Sequence, residues 1–157
     1  MHQFTLDPSS LKIIDAHLDT CFPELRQPGQ PALPPIVVSG GWLAWYLTWV
    51  AKADGITFGR YIFLRPRIFR QSLATERVLE TLGPLVVHEA THVWQYRRDG
   101  TLPFLVNYVG AYLRNLTRSG VWWVLSAQTR HQAYLAIPYE VQARHAEAMW
   151  HVFHPSA

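Results

Sequence analysis

Two histidines and a glutamate between residues 86 and 95 have the types and the spacing for metal chemistry. His88 and His92 are four positions apart, so a helix places both imidazoles on one face, where each can present a ring nitrogen to the same ion. Glu89 lies one position further around that helix. A carboxylate there suits accepting a proton from a metal-bound water better than binding the metal itself. The segment therefore predicts a metal site with Glu89 as its general base.

The flanking residues predict the helix that this spacing requires. They are apolar on both sides of the motif, as in a helix that crosses the core of a small domain: Leu85, Val86, Val87, Val93 and Trp94. Gly83-Pro84 predicts the start of the helix and Asp99-Gly100 its end. The alternative is a buried helix whose two histidines are satisfied core residues without a metal.

The composition is that of one folded domain spanning residues 1 to 157. Apolar residues make up 49% of the chain and charged residues 16%, with 7 Trp, 7 Tyr and 7 Phe, which predicts an aromatic-rich core. The formal charge of +3 is mildly basic, but the arginines are scattered and form no long run, so nucleic-acid binding is not supported. Cys21 is the only cysteine, which excludes an intramolecular disulfide and a cysteine-rich zinc finger.

The first 35 residues contain a predicted helix and a proline-rich connector. Apolar residues from Leu11 to Leu18 have helical spacing after an Asp7-Pro8-Ser9-Ser10 cap, and five prolines follow between residues 22 and 35. We expect a cytoplasmic protein, because the start lacks the basic and apolar regions of a secretory signal. The extended character of residues 1 to 35 raises the hypothesis that this segment covers a binding groove.

An uncharged stretch from Leu33 to Ala51 is just long enough to cross a bilayer. Prolines and glycines interrupt its first half, which leaves about eleven Trp-rich residues, a length that suits a buried helix better than a membrane span. We therefore predict a buried helix over Gly41 to Ala53 and no membrane span. The alternative is a membrane-associated protein anchored by Trp42 to Trp49.

The remaining patterns predict a mostly helical α+β domain with a short sheet. Residues 56 to 64 are rich in β-branched and aromatic side chains and predict one strand. This is either a plain core strand or an edge strand beside the helix of His88 and His92, where it would bind an extended peptide. We predict a short helix or turn over Ser72 to Leu82, a helix over Pro103 to Thr117, and a final helix from near Pro138 to Met149 or beyond. Residues 122 to 124 (Trp-Trp-Val) are interpreted as side chains that fill the core or that anchor a loop.

A catalytic zinc site takes three protein ligands and leaves a fourth position for water, so a third ligand is needed. Arg98 occupies the position of the third histidine in the extended His-Glu-x-x-His pattern. The remaining candidates are His131, Glu140, His145 and Glu147. We favour Glu140, because Pro138 predicts a helix start there and the small Ala143 one turn later allows a close approach to the metal helix. Glu147 or Asp99 is then a candidate partner for the second ring nitrogen of a ligating histidine.

The chain resembles the zincin metallopeptidases in which a glutamate on a later helix completes the site. The likeness covers roughly residues 56 to 147 and is carried by three segments: Ile62-Phe63-Leu64-Arg65-Pro66, the stretch from His88 to Tyr96, and Ile137-Pro138-Tyr139-Glu140-Val141-Gln142-Ala143. It is most similar to a small, largely uncharacterised family of bacterial zincins whose helix carries His-Glu-x-x-His-Val-x-Gln. The resemblance implies a zincin-like fold, zinc bound by His88, His92 and Glu140, and Glu89 as general base and acid.

The function implied is zinc-dependent hydrolysis of peptide bonds in a peptide or protein substrate. An oxyanion donor besides the metal is also expected; Tyr139, Tyr134 and His131 are the candidates, and Tyr139 is preferred. The alternative is a non-catalytic zincin-fold module in which zinc staples two helices for structure or interaction. An intact Glu89 favours the enzyme, because a purely structural site has no use for a base.

Overall fold

The computed structural model describes residues 3–26, 32–73, 78–118 and 126–154, and these form an α+β fold, as predicted. Seven helices and four strands lie in this part of the chain. In order they are β1 (Gln3–Thr5), α1 (Pro8–Cys21), β2 (Val37–Ser39), α2 (Trp42–Ala51), β3 (Gly55–Phe58), β4 (Tyr61–Leu64), α3 (Pro66–Leu73), α4 (Val78–Asp99), α5 (Thr101–Arg118), α6 (Ala127–Leu135) and α7 (Pro138–Phe153).

A small mixed sheet has the strand order β1-β2-β4-β3. The single strand predicted over residues 56 to 64 is instead the hairpin of β3 and β4, in which Phe58 pairs with Tyr61. Gly59 makes this turn with φ of 60°, a conformation that glycine adopts at little cost. β3 lies at the edge of the sheet and contacts α4, so the prediction of an edge strand beside the metal helix is confirmed.

The N-terminal helix forms as predicted. The Asp7 side chain accepts hydrogen bonds from the backbone N–H groups of Ser9 and Ser10 at the start of α1. Ile14 and Leu18 are fully buried in the core. No described residue among the first 35 lines the cavity at His88, so their positions do not support the hypothesis that this segment covers the groove.

The prediction that the Trp-rich helix is buried is wrong. α2 forms, but within it only Ala44 and Thr48 are buried, while Trp42 is 79% exposed. The helix packs on β4 and β3 through its small residues, since the short sheet offers little surface for four aromatic rings. Within the described residues, no helix combines the length and the apolar character needed to cross a membrane.

The helix α4, which carries His88 and His92, begins at Val78, earlier than Gly83-Pro84 predicted, and Pro84 lies inside it. Leu79 in its first turns is buried in the core, so tertiary packing compensates for the backbone hydrogen bond that Pro84 cannot donate. The predicted end at Asp99 is confirmed, with Gly100 at a φ of 83° just beyond.

The C-terminal half consists of helices packed beside α4. The helix predicted over Pro103 to Thr117 is confirmed as α5, and the final helix is confirmed as α7. α6 has no counterpart in the prediction, because its polar sequence carries little amphipathic periodicity. The segment from Ser72 to Leu82 divides between α3 and α4, with residues 74 to 77 outside the described part, and Trp122, Trp123 and Val124 also lie outside it.

Candidate metal centre

Three side chains converge where α4 meets α7. The donor atoms of His88, His92 and Glu140 all lie within 4.8 Å of one another, so this group can hold a metal ion. Nε2 of His88 is 3.5 Å from Oε2 of Glu140, and Nε2 of His92 is 3.2 Å from Oε1. Two ligand atoms of a tetrahedral zinc, each about 2.0–2.1 Å from the ion, are separated by about 3.3 Å. The spacing of the three donors therefore fits a single small ion.

The other ring nitrogen of each histidine is already engaged. Nδ1 of His88 lies 2.9 Å from the carboxylate of Glu147, and Nδ1 of His92 lies 2.8 Å from Oε1 of Gln95. An acceptor at Nδ1 keeps a proton on that nitrogen and leaves Nε2 as the ring atom that faces Glu140. Both rings are thus oriented to ligate a metal through Nε2.

The orientation of Gln95 follows from its own contacts. Its side-chain nitrogen donates to the backbone oxygen of Tyr139 at 3.1 Å and to Oε1 of Gln142 at 3.0 Å. Since both partners are acceptors, the amide oxygen must face His92. Gln95 is fully buried and joins α4 to the first turns of α7, which carry Glu140.

Glu140 has an atom that a metal would satisfy. Its residue is 2% exposed, and Oε2 is buried without a hydrogen-bond partner within the described part of the chain. The other oxygen, Oε1, accepts a hydrogen bond of 2.6 Å from the hydroxyl of Tyr108. A buried carboxylate oxygen without a partner is costly, so the donor set fits a bound cation.

The electrostatics of the pocket also favour a positive charge. Burial lowers the pKa of His88, but the neighbouring carboxylates of Glu140 and Glu147 outweigh burial and raise that pKa to about 10. Burial raises the pKa of Glu140, yet the adjacent imidazoles of His88 and His92 hold it well below its ordinary value. The carboxylates thus stabilise a cation at the position that the three donors share.

Glu89 is held beside the triad by β3. The hydroxyl of Thr57 donates to Oε2 of Glu89 at 2.7 Å and lies 3.1 Å from the Glu89 backbone oxygen. A Cβ atom on Gly55 would lie 2.5 Å from Oε1 of Glu89, so the absence of a side chain at Gly55 leaves room for the carboxylate. Burial raises the pKa of Glu89, although His92 and His88 oppose the shift. This position and this direction of shift suit a group that accepts a proton.

A cavity of about 880 Å³ opens beside the triad, within the range of small-ligand and substrate pockets. β3 contributes Gly55, Ile56 and Thr57 to one part of its wall. The helices α4 and α7, which carry the triad, form another part, and the end of α2 together with α5 and α6 completes the wall. Side chains that line it include Val50, Lys52, Leu105, Tyr108, Arg130, His131 and Tyr134.

The structure brings together His88, Glu89, His92 and Glu140, but not Tyr139. The Tyr139 hydroxyl donates to Asp99 at 2.8 Å, its ring packs on Phe104, and it is absent from the cavity lining. The geometry therefore does not support Tyr139 as an oxyanion donor. Asp99 serves this tyrosine and Arg98 rather than a ligating histidine.

The other residues considered from the sequence differ in their position relative to the triad and the cavity. Glu147 supports His88 as a positioning residue, as considered from the sequence. His145 is exposed and contacts Phe22, away from the triad. His131 and Tyr134 line the cavity, and burial together with the Glu140 carboxylate raises the pKa of Tyr134 far above its ordinary value, which keeps its hydroxyl protonated.

Three residues at the site escaped the sequence analysis. Tyr108, Thr57 and Gly55 each act across a long sequence separation, on Glu140 or on Glu89. Tyr108 is on the predicted helix α5 but follows no local motif. The Asp54-Gly55 pair is a turn signal in the sequence, and such a local signal does not indicate a contact with Glu89.

Comparison of the chain with models of protein families, with curated proteins and with solved structures found no match. The description of the candidate site therefore depends only on its own side chains. They establish a group of residues that can hold a metal ion beside a buried glutamate.

Proposed function

We propose that this chain is a zinc-dependent metallopeptidase that hydrolyses peptide bonds. The observation that carries the proposal is the convergence of two Nε2 atoms and one carboxylate on a single point, with both Nδ1 atoms engaged by other side chains. Two imidazoles and one carboxylate are the donor set of one class of catalytic zinc site, which leaves a fourth position open. Glu89 beside this set is consistent with hydrolysis, because a closed structural site needs no proton acceptor.

Bound zinc would supply Lewis acidity, lowering the pKa of a water and polarising a carbonyl group. Glu89 then accepts the proton of the attacking water and passes it to the leaving amine, so the carboxylate returns to its initial state. Thr57 holds Oε2 of Glu89 during both transfers. Tyr134 and His131 are the candidate donors to the oxyanion, since both line the cavity and Tyr134 stays protonated.

The edge strand β3 is the proposed support for an extended substrate. It lies at the end of the sheet order, lines the cavity and holds Glu89 through Thr57. A peptide added alongside an edge strand is bound through main-chain hydrogen bonds, largely independent of sequence. The scissile bond of such a peptide would then lie between Glu89 and the triad.

The first experiment is the zinc content of the purified protein after loading. We expect about one zinc per chain in wild type and its loss in His88→Ala and Glu140→Ala. His131→Ala is the matched control, because this exposed residue lines the cavity without joining the triad. Zinc retained in Glu140→Ala would contradict the ligand set.

The second experiment is hydrolysis of a quenched-fluorescence peptide library by wild type and Glu89→Gln. We expect Glu89→Gln to keep its zinc and to lose turnover by a factor of about a hundred or more. Normal hydrolysis in this variant would exclude Glu89 as the base. Wild type that binds zinc without cleaving any peptide would favour the structural or interaction module.

A further inference from the structure

α2 has its apolar surface on the outside. The aromatic face of α2, defined as Trp42, Trp45, Tyr46 and Trp49, has the i, i+3, i+4, i+7 spacing of one helix face. Trp42, Trp49 and Trp45 are 79%, 64% and 54% exposed, and Tyr46 is 49% exposed. The opposite face packs on the sheet through Ala44 and Thr48. The large rings therefore do not contribute to the core.

The size of this face sets limits on its partner. At about 150–250 Å² for each ring, the four side chains expose on the order of 500 Å², near the top of the range that monomers leave to water. A stable dimer commonly buries about 800 Å² on each partner, so this face alone is small for self-association. Trp and Tyr combine an apolar ring with a polar N–H or O–H group, which suits the boundary between water and lipid.

The charges around the aromatic face are basic. Lys52 at the end of α2 and Arg65 border Trp45 and Trp49. α2, α5 and α6 contain no aspartate or glutamate, while α5 and α6 carry Arg114, Arg118 and Arg130. The nearby carboxylate of Asp54 is paired with Arg65 at 2.8 Å, so these two charges balance and Lys52 supplies the positive charge beside Trp45 and Trp49. This distribution complements an anionic surface.

A second exposed apolar surface borders the same cavity. α5 carries a stripe of exposed side chains at helical spacing: Leu102 (71%), Val106 (61%), Val109 (51%) and Leu113 (54%). On the surface of α5 this stripe is adjacent to Leu105 and Tyr112, which line the cavity. Val50 of α2 lines the cavity too and is 57% exposed. The cavity is thus bordered by apolar surface on both α2 and α5.

We propose that the aromatic face of α2 docks the protein onto an anionic phospholipid membrane. The rings of Trp42, Trp45 and Trp49 enter the headgroup region, and Lys52 approaches the lipid phosphates. α2 has 10 residues, which is too short to cross a bilayer, so it lies at the surface. The α5 stripe extends the contact along the border of the cavity.

Docking through this face places the cavity next to the lipid surface. On the proposed peptidase function, this position favours substrates whose scissile segments lie close to a membrane. The docking itself depends on neither zinc nor Glu89. Membrane binding and hydrolysis can therefore fail independently of each other.

The test is sedimentation of the full chain with sonicated vesicles, made either of phosphatidylcholine alone or of equal parts of phosphatidylcholine and phosphatidylglycerol. We expect wild type to sediment with the anionic vesicles, and to be released by high salt because salt screens the lysine and arginine charges. The double variant Trp42→Ser, Trp49→Ser should bind these vesicles at least about tenfold more weakly than wild type. Wild type that stays in the supernatant with anionic vesicles would overturn the proposal.

The matched control is Ile13→Ser with Val152→Ser, two apolar residues that are 44% and 64% exposed and do not line the cavity. We expect this variant to bind like wild type. Equal loss of binding in both double variants would show a nonspecific apolar effect and contradict the assignment to α2. Glu89→Gln should bind vesicles like wild type, which separates docking from catalysis.

A measurement on wild-type protein tests the proposal even if the tryptophan variant does not fold. Vesicles with brominated acyl chains should quench the tryptophan fluorescence of wild type, because the α2 rings reach the lipid. Absence of quenching would overturn the proposal. Concentration-dependent dimerisation that is abolished by Trp42→Ser, Trp49→Ser, without vesicle binding by wild type, would instead assign the face to a second copy of the chain.

Discussion

At the scale of single residues, each functional group of the site has a second group that orients it. Glu147 and Gln95 orient the two histidines, Tyr108 orients Glu140, and Thr57 orients Glu89. Such support fixes donor positions before an ion or a substrate arrives, which lowers the cost of binding. Loss of a supporting group should therefore reduce activity without removing the site.

Gly55→Ala tests the support of Glu89 by β3. The added Cβ would lie 2.5 Å from Oε1 of Glu89, so the carboxylate must shift away from its position. We expect turnover to fall by about a hundredfold with zinc content unchanged, because a displacement of roughly 1 Å costs that much in rate. Peptide hydrolysis and elemental analysis measure the two quantities.

The control for that variant is Gly110→Ala. Gly110 lies in α5, and a Cβ there meets no atom within 4 Å. Gly110→Ala should leave turnover unchanged. Unchanged turnover in Gly55→Ala as well would show that Glu89 tolerates the shift and would contradict its role as a positioned base.

At the scale of elements, the site depends on how closely α4 and α7 approach. α4 packs more extensively on α7 than on any other described element, and small buried residues face each other at this junction: Gly83, Ala143 and Ala146. The candidate ligands His88 and His92 come from one helix and Glu140 comes from the other. The distance between the two helices therefore sets the distance between the ligands.

Gly83→Ala should destabilise the protein through this packing. Its Cβ would lie 2.3 Å from Nε1 of Trp150 on α7, so the indole or the helix must move. Overpacking of this kind costs about 1–3 kcal/mol, more than the roughly 1 kcal/mol that alanine gains over glycine in a helix. Denaturant unfolding should show a lower free energy of unfolding for Gly83→Ala. The same change at exposed Gly110 should instead raise it by about 0.5–1 kcal/mol. A stabilised Gly83→Ala variant would contradict the tight contact.

At the scale of the whole molecule, one buried histidine joins the N-terminal helix to the C-terminal one. Nε2 of His17 lies 2.9 Å from the backbone oxygen of Ala146, and its ring contacts Trp150 and Phe153. Burial lowers the pKa of His17 below its ordinary 6.5, and the nearby His154 and His145 add to the shift. Folding therefore favours the neutral ring.

The contribution of His17 to the stability of the fold should consequently fall as the pH falls through the histidine range. The unfolded chain takes up a proton at about pH 6.5 while folded His17 does not, so the stability that is present above this pH is lost as pH drops toward the folded pKa. The slope from this one group is at most about 1.4 kcal/mol per pH unit. Urea unfolding of wild type and His17→Gln at several pH values measures it. Parallel curves for the two proteins would contradict the prediction.

The local patterns of the sequence predicted the group of residues that forms the candidate metal site. The i, i+4 spacing places His88 and His92 on one helix face whatever the rest of the fold does, and Pro138 marks the start of the helix that carries Glu140. The N-terminal cap at Asp7 is equally local. Such features depend on neighbouring residues in the chain, so they are visible without a structure.

Tertiary structure alone decided which side chains serve that site and which face water. Thr57 and Tyr108 are each 32 residues away from the glutamate they contact, and no local pattern encodes such a meeting. The exposure of α2 was decided in the same way, because an apolar helix is buried only if the fold provides a surface large enough to cover it. Here the short sheet covers Ala44 and Thr48 and leaves the aromatic face of α2 in contact with solvent.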